Sequence, residues 1–291
     1  MMQMYVGITD LKMFEFLKEK KFEEVNFWRP GNQPFRAIYE NELFLFKLHA
    51  PQNYIVGGGF FVNYTCLPSH LVWEAFGEKN GMPSLTALNK ALHRYRVKNR
   101  IPLDQNEISC IMLTDVFYFD EKDWIPVPED FHMSTVQGKT YRPETTTGAI
   151  LYEQLKERIP EKLEMHQHAM GPGAFQVKVT DAYKRQCAIT GGRILPALEA
   201  THFMPPLENG PHAVDNGILL KSDLRALLDY GYLTIDKNYR VNVSSRLKED
   251  YDDDSIFQTY HGQELKVLPD KFTEVPAKEF LEWHNENRFL G

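Results

Sequence analysis

The sequence predicts an α+β fold in two parts: a small β-barrel-like domain over residues 1–150 and a second domain over 175–291, joined by a linker at 151–174. Three observations carry this. The first half alternates short apolar and aromatic runs with turn residues and holds a few helical patterns. The stretch 161–173 is polar and ends in Gly171-Pro172-Gly173. The second half reads strand, loop, strand, helix between Leu195 and Leu228. A chain of 291 residues is long for one domain and comfortable for two.

Taken in order, Leu11, Phe14, Phe16 and Leu17 are read as apolar positions at helical spacing behind Asp10, a helix N-cap residue. Residues 44–48, 54–56 and 60–62 read as strands, with Gly57-Gly58-Gly59 between the last two as a bulge, a corner, a close approach of another backbone, or a phosphate loop. Residues 71–76 and 84–95 read as helices, the second capped by Ser84. A strand at 108–113 resumes at 116–119 after a break at Thr114-Asp115, and 124–128 reads as an extended surface segment. Short strands with two helices suit a small barrel flanked by helices. The linker holds a helix at 148–158, and His166 and His168 read as loop residues because i, i+2 positions share no helix face.

Composition narrows the function classes. Hydrophobic residues are 43% and charged residues 25%, ordinary for a globular protein. No stretch approaches eighteen apolar residues and the N-terminus has no basic region followed by an apolar run, so a cytoplasmic protein that does not engage membranes is expected. Cys66, Cys110 and Cys187 are far apart and form no CxxC pair, so neither a disulfide framework nor a structural zinc is expected. A net charge of −7 counts against a protein that coats nucleic acid, though not against an enzyme with a local basic track. The most basic stretch, 90–100, includes Arg94, Arg96 and Lys98, and is either a solvated helix face or a phosphate-contacting one.

The second half carries the chemistry. A helix is expected over 175–188, then Cys187-Ala188-Ile189-Thr190-Gly191, a strand at 195–203, a loop, Ile218-Leu219-Leu220, a helix at 223–228, and a hairpin around Asp236-Lys237-Asn238. Tyr183, Ile189, Leu198, Leu219, Leu224 and Leu228 are its expected core. Leu198-Glu199-Ala200-Thr201-His202-Phe203, then Asp215-Asn216-Gly217-Ile218-Leu219-Leu220, then Ser222-Asp223-Leu224 and Asp229-Tyr230-Gly231 resemble the HNH endonuclease family, whose fold is a ββα-metal finger. The resemblance implies hydrolysis of a DNA phosphodiester, with His202 as general base, Asn216 as the middle Asn that orients it, and one divalent cation, usually Mg2+, on the leaving side. A turn residue in the left-handed region is the other reading of Asn216.

Glu199 is a candidate metal ligand or a structural acceptor; on an ideal strand it points away from His202. Arg225 stands where the family has its last His. A guanidinium offers no lone pair and ligates no cation. Three readings stay open: a site that binds DNA without cutting, an Arg225 charge that partly replaces the metal, or a metal shifted to Asp223 or Asp229. An ion pair between Arg225 and Asp229 at i, i+4 is the plainer alternative. Lys184, Arg185 and Arg193 flank the motif as candidate phosphate contacts.

A distinct domain ahead of a C-terminal HNH module resembles modification-dependent restriction enzymes, in which a PUA-like barrel reads a flipped modified base. That resemblance implies double-stranded DNA as partner, a role in restriction or defence, and aromatic stacking faces, for which Trp28, Phe46, Tyr54 and Trp73 are candidates. A homodimer is expected if both strands are cut. In the tail, 249–254 is an acidic run, and His284 sits in a short helical pattern that packs back on the module.

Overall fold

A computed structural model describes residues 2–132, 134–165, 167–252 and 255–291. His166 lies outside the described residues, as do Asp253 and Asp254 of the acidic run. The chain divides into two compact units, Met1–Gly171 and Pro172–Gly291. No helix among the described residues is long and apolar enough to cross a membrane.

The first unit runs β1 (Met4–Thr9), α1 (Leu11–Lys20), β2 (Val25–Arg29), β3 (Leu43–Leu48), β4 (Tyr54–Pro68), α2 (Ser69–Phe76), α3 (Leu85–Asn99), β5 (Glu107–Tyr118), β6 (Ile125–Pro126), β7 (Gly138–Tyr141), α4 (Thr146–Lys156) and α5 (Pro160–Glu164). The caps are local. Asp10 accepts from the Lys12 and Met13 amides at 3.0 and 3.3 Å, and Ser84 accepts from the Ala87 amide at 3.1 Å. The sheet has the order β2-β5-β4-β3-β1-β7, with β6 also on β4. Its pairs are antiparallel except β1 with β3. The expected barrel is not closed: among the described residues β2 and β7 end the sheet without pairing to each other.

All of β3 is buried, because both faces of the sheet are covered. Leu43 and Leu45 pack in one core with Met4, Val6 and Phe60, while Phe44 on the other side meets Phe27 at 4.7 Å between ring centroids. The three glycines do not separate two strands; they lie inside β4. A Cβ on Gly57 would stand 2.4 Å from the Phe117 carbonyl oxygen, and one on Gly58 would stand 2.5 Å from that of Phe44, so close backbone approach is the reason for them. The register with β5 shifts there, opposite Asp115 at φ 47, and β5 runs through the expected break as a bulge.

The expected linker is also a packed part of this unit. Leu151, Leu155 and Ile159 recur every four residues, and that stripe is buried in the core beside Leu43 and Phe60. His168 lies outside any helix or strand, as expected, but its side chain is buried: its Nδ1 lies 2.7 Å from Asp115 Oδ2 and its ring stacks on Phe60 at 3.5 Å.

The second unit runs α6 (Pro172–Ala182), β8 (Leu198–His202), β9 (Gly217–Lys221), α7 (Ser222–Asp229), β10 (Leu233–Ile235), β11 (Val241–Val243), α8 (Arg246–Tyr251), α9 (Ser255–Gln258) and α10 (Lys278–Asn287). α6 stops short of the expected 188 because Lys184 and Arg185 take left-handed backbone, φ 56 and 58. β8 and β9 form an antiparallel hairpin in which His202 faces Gly217 and Leu198 faces Lys221. Tyr183, Ile189, Leu198, Leu219, Leu224 and Leu228 are all buried. His284 is buried in α10, bonded to Thr234 Oγ1 at 2.8 Å and the Leu228 carbonyl at 3.1 Å, so it holds elements together and does not face the hairpin loop.

Candidate active site

The hairpin has two working faces, and strand alternation decides which residue reaches which. Glu199 and Thr201, two apart on β8, both reach α7: Glu199 Oε2 lies 2.5 Å from Arg225 Nη1, and Thr201 Oγ1 donates to Asp229 Oδ1 at 2.8 Å. His202, of the other parity, reaches α6, where its ring stacks on Phe175 at 3.7 Å with the planes 8° apart.

Phe175 is held against the hairpin because the residue opposite His202 is Gly217. A Cβ there would stand 2.6 Å from Val179 and 3.0 Å from Phe175. His202 Nε2 lies 3.0 Å from Nδ1 of His212, which stands in the loop between the strands. Burial, and behind it the neighbouring His212, pushes the His202 imidazolium pKa down to about 4, so the ring is neutral at pH 7.

Asn216 locks that loop. It is fully buried, and its Oδ1 accepts from the Met204 amide at 2.9 Å. Its Nδ2 donates to the carbonyls of Met204 and Pro211, each at 2.9 Å. Pro211 directly precedes His212, so Asn216 positions the second imidazole through the backbone. Both of its amide hydrogens are used, so its side chain has no donor left over for a substrate. Nor is it a left-handed turn residue; its φ is not among the positive values of the chain.

The three candidate metal ligands do not converge on a cation. Arg225 sits between Glu199 and Asp229, with Nε 3.0 Å from Asp229 Oδ2 in an ion pair too poorly aligned to be a hydrogen bond. The Ser222 hydroxyl, followed by Arg225, holds the Glu199 carboxyl below its usual range against the opposing effect of burial. Asp223 faces the other way, taking the Leu224 amide at 2.9 Å and Lys221 Nζ at 3.3 Å. Among the described residues no group of three or more His, Cys, Asp and Glu side chains is placed to hold a metal ion. The donor set around Arg225 therefore does not fit a divalent cation: its two carboxylates already share a fixed positive charge.

The basic candidates divide in the same way. Lys184 pairs with Asp270 at 2.6 Å and Arg185 with Asp181 at 3.1 Å, while Arg193 is exposed. In the first unit Arg94 and Lys98 are exposed. Arg96 is buried, donating to the carbonyls of Pro30 and Glu107 at 3.0 and 2.9 Å, so it ties a turn rather than presenting charge.

Of the four candidate stacking residues, only Trp28 lines the large cavity of the first unit. Phe46 is 1% exposed and belongs to the sheet core, Tyr54 packs on Trp124 at 5.8 Å, and Trp73 is half-buried on α2. Sequence reasoning did not single out His212 or Phe175. The Gly210-Pro211-His212 step four residues before Asn216 was the available sign of the first.

Residues 187–236 match the family model described as HNH endonuclease. No curated protein matches the chain. Among solved structures, the chain is similar to ASCH from Zymomonas mobilis, with 11% identity over 50% of this chain and 94% of that one at a TM-score of 0.35. It is also similar to the modification dependent TagI restriction endonuclease, with 11% identity over 92% of this chain and 76% of that one at a TM-score of 0.31. Likenesses of that extent decide neither fold nor function. The motif and the hairpin with its following helix fall within residues 187–236, the stretch that matches the HNH endonuclease family model.

Proposed function

We propose that this chain hydrolyses DNA phosphodiester bonds at the second unit, with His202 as general base. The observation that carries the reading is the His202 imidazole, neutral at pH 7 and fixed by Phe175 and His212 inside a module that matches the HNH endonuclease family. In the tautomer in which His202 Nε2 donates to His212 Nδ1, His202 Nδ1 keeps a lone pair. That lone pair takes a proton from water as the water oxygen bonds to phosphorus and the ester P–O bond breaks. HNH endonucleases generally use a divalent metal; the acidic candidates here do not assemble a site for one, and no step is assigned to it.

The partner is double-stranded DNA. A role in restriction, with preference for a modified base and two copies acting on the two strands, is the finer form of the same reading.

A second reading rests on Arg225. With its charge shared between Glu199 and Asp229, the α7 face is a cross-link rather than a catalytic surface, which suits a module that holds DNA without cutting it. Nicking of plain and modified supercoiled plasmid, in Mg2+, Mn2+ or chelator, by the chain and by His202→Ala separates the two. Nicking that is lost in the variant supports the nuclease. Salt-sensitive binding without nicking in any condition supports the second reading.

A further inference from the structure

One strand of the first unit buries a lysine among apolar side chains. β3 reads Leu-Phe-Leu-Phe-Lys-Leu and all six residues are buried, with Lys47 5% exposed. The sheet register sets Lys47 between Ile8 of β1 and Ile55 of β4, at the bulge that follows Phe46. It lines a cavity of about 1010 Å³, with Phe27, Trp28, Tyr95 and Phe131 also on the wall. Small-molecule sites run to roughly 300–1,000 Å³, so the space is ample for a ligand of that class.

An ammonium in this position is poorly compensated. Nζ donates to Asn53 Oδ1 at 2.8 Å and lies 5.1 Å from the Phe131 ring centroid, and among the described residues it meets no carboxylate. An amide oxygen and a ring face are dipole and quadrupole, not countercharges, and a buried cation without a countercharge is costly. Burial therefore pulls the Lys47 pKa below the usual lysine range. The deprotonated amine keeps a lone pair, and a lysine desolvated in an apolar pocket is a nucleophile for that reason.

We infer that Lys47 is a nucleophilic amine that holds an aldehyde ligand in this cavity as an imine. The nitrogen lone pair bonds to the carbonyl carbon, the carbon–oxygen double bond breaks, and the oxygen leaves as water carrying both amine hydrogens. The step consumes no oxidant or reductant, and water reverses it. The aromatic wall gives a flat ring a face to lie on, so an aromatic aldehyde is held better than an aliphatic one. Aldehyde carbonyls occur in free small molecules and in the opened sugar of a base-free position in DNA; the chemistry at Lys47 is the same, and the experiment separates the sources. This site works without His202 and is independent of the hydrolysis proposed above.

Reductive trapping on the full chain tests it. Benzaldehyde, butanal, or a duplex with one base-free position is added at pH 7 with cyanoborohydride, and peptide mass spectrometry locates the adduct. The exposed Lys98 serves as internal reference. The expected result is labelling of Lys47 by benzaldehyde at least tenfold faster than of Lys98, and faster than by butanal. Asn53→Asp places a carboxylate beside the amine, favours the ammonium, and slows Lys47 labelling at pH 7 by tenfold or more; a lysine that only ties the turn at Asn53 would show no such change. His202→Ala leaves the labelling unchanged. Cross-linking of the duplex to Lys47 assigns the aldehyde to DNA, and labelling by benzaldehyde alone assigns it to free small molecules. Lys47 labelled no faster than Lys98 by every probe, or labelled equally fast in Asn53→Asp, overturns the inference.

Discussion

His202 and His212 meet through their ring nitrogens, Nε2 to Nδ1 at 3.0 Å, although they stand ten positions apart in the chain. The contact exists because Asn216 ties the intervening loop down at Met204 and Pro211. The consequence is a histidine fixed in orientation and kept neutral.

Removing the second ring tests that relationship. In His212→Ala the His202 pKa rises from about 4, because one of the two influences that lower it is gone, while burial, the larger one, remains. NMR titration of the histidine ring protons reads the shift directly. Nicking falls by roughly ten- to a hundredfold, the scale of a misoriented base. An unmoved titration would assign His212 to loop packing alone.

Asn216→Ala is expected to be among the most destabilising single changes in the second unit. It strips partners from the Met204 amide and carbonyl and the Pro211 carbonyl around a side chain that is 0% exposed. At about 1 kcal/mol per bond, plus the cost of buried groups left unsatisfied, the loss is about 2–4 kcal/mol. Chemical denaturation measures it, and a loss well under 1 kcal/mol would contradict this role.

Acid lowers the stability of the second unit before carboxylates titrate. His202 and His284 are both pushed down to about 4 by burial, against 6.5 for the free side chain. Between those values the unfolded chain binds more protons than the folded one, so stability rises with pH across that window and is lost as pH falls from 6.5 toward 4. For the buried His284 the loss is on the order of 3 kcal/mol, and Leu is the replacement that removes it. Melting temperatures of the chain and of His284→Leu between pH 4 and 7 check this: the variant's melting temperature should depend less on pH.

Much of this was legible in the sequence because it is local. Asp10 and Ser84 cap the helices they precede, and the Glu199 to Asp229 segment carries its order and spacing openly. What was not legible is set by tertiary contact. Gly57-Gly58-Gly59 reads as a break until Phe44 and Phe117 are seen lying against it, and Arg96 reads as surface charge until the Pro30 and Glu107 carbonyls are seen beneath it. The stripe Leu151, Leu155 and Ile159 looks like a linker helix only while the sheet it covers is out of view. His212 was overlooked for a related reason: a lone polar residue acquires meaning from what folds around it.

Arg225 is open to a direct exchange. Arg225→Ala leaves Glu199 and Asp229 facing each other without their shared cation; because the guanidinium is 41% exposed, the cost is only about 1 kcal/mol. Arg225→His supplies a third ligand beside those two carboxylates and is expected to bind Mn2+ in calorimetry where the unaltered chain, at this position, does not. Chelator should leave the melting temperature of the unaltered chain unchanged. Equal Mn2+ affinity in both proteins would show that the metal is held elsewhere.

The most direct test of His202 as a neutral base is the pH profile of plasmid nicking by the unaltered chain beside His202→Ala. A base with a pKa of about 4 gives nicking that stays level from pH 7 down to about 5 and falls only below that, with the variant inactive throughout. Nicking by His202→Ala at the rate of the unaltered chain would contradict the account.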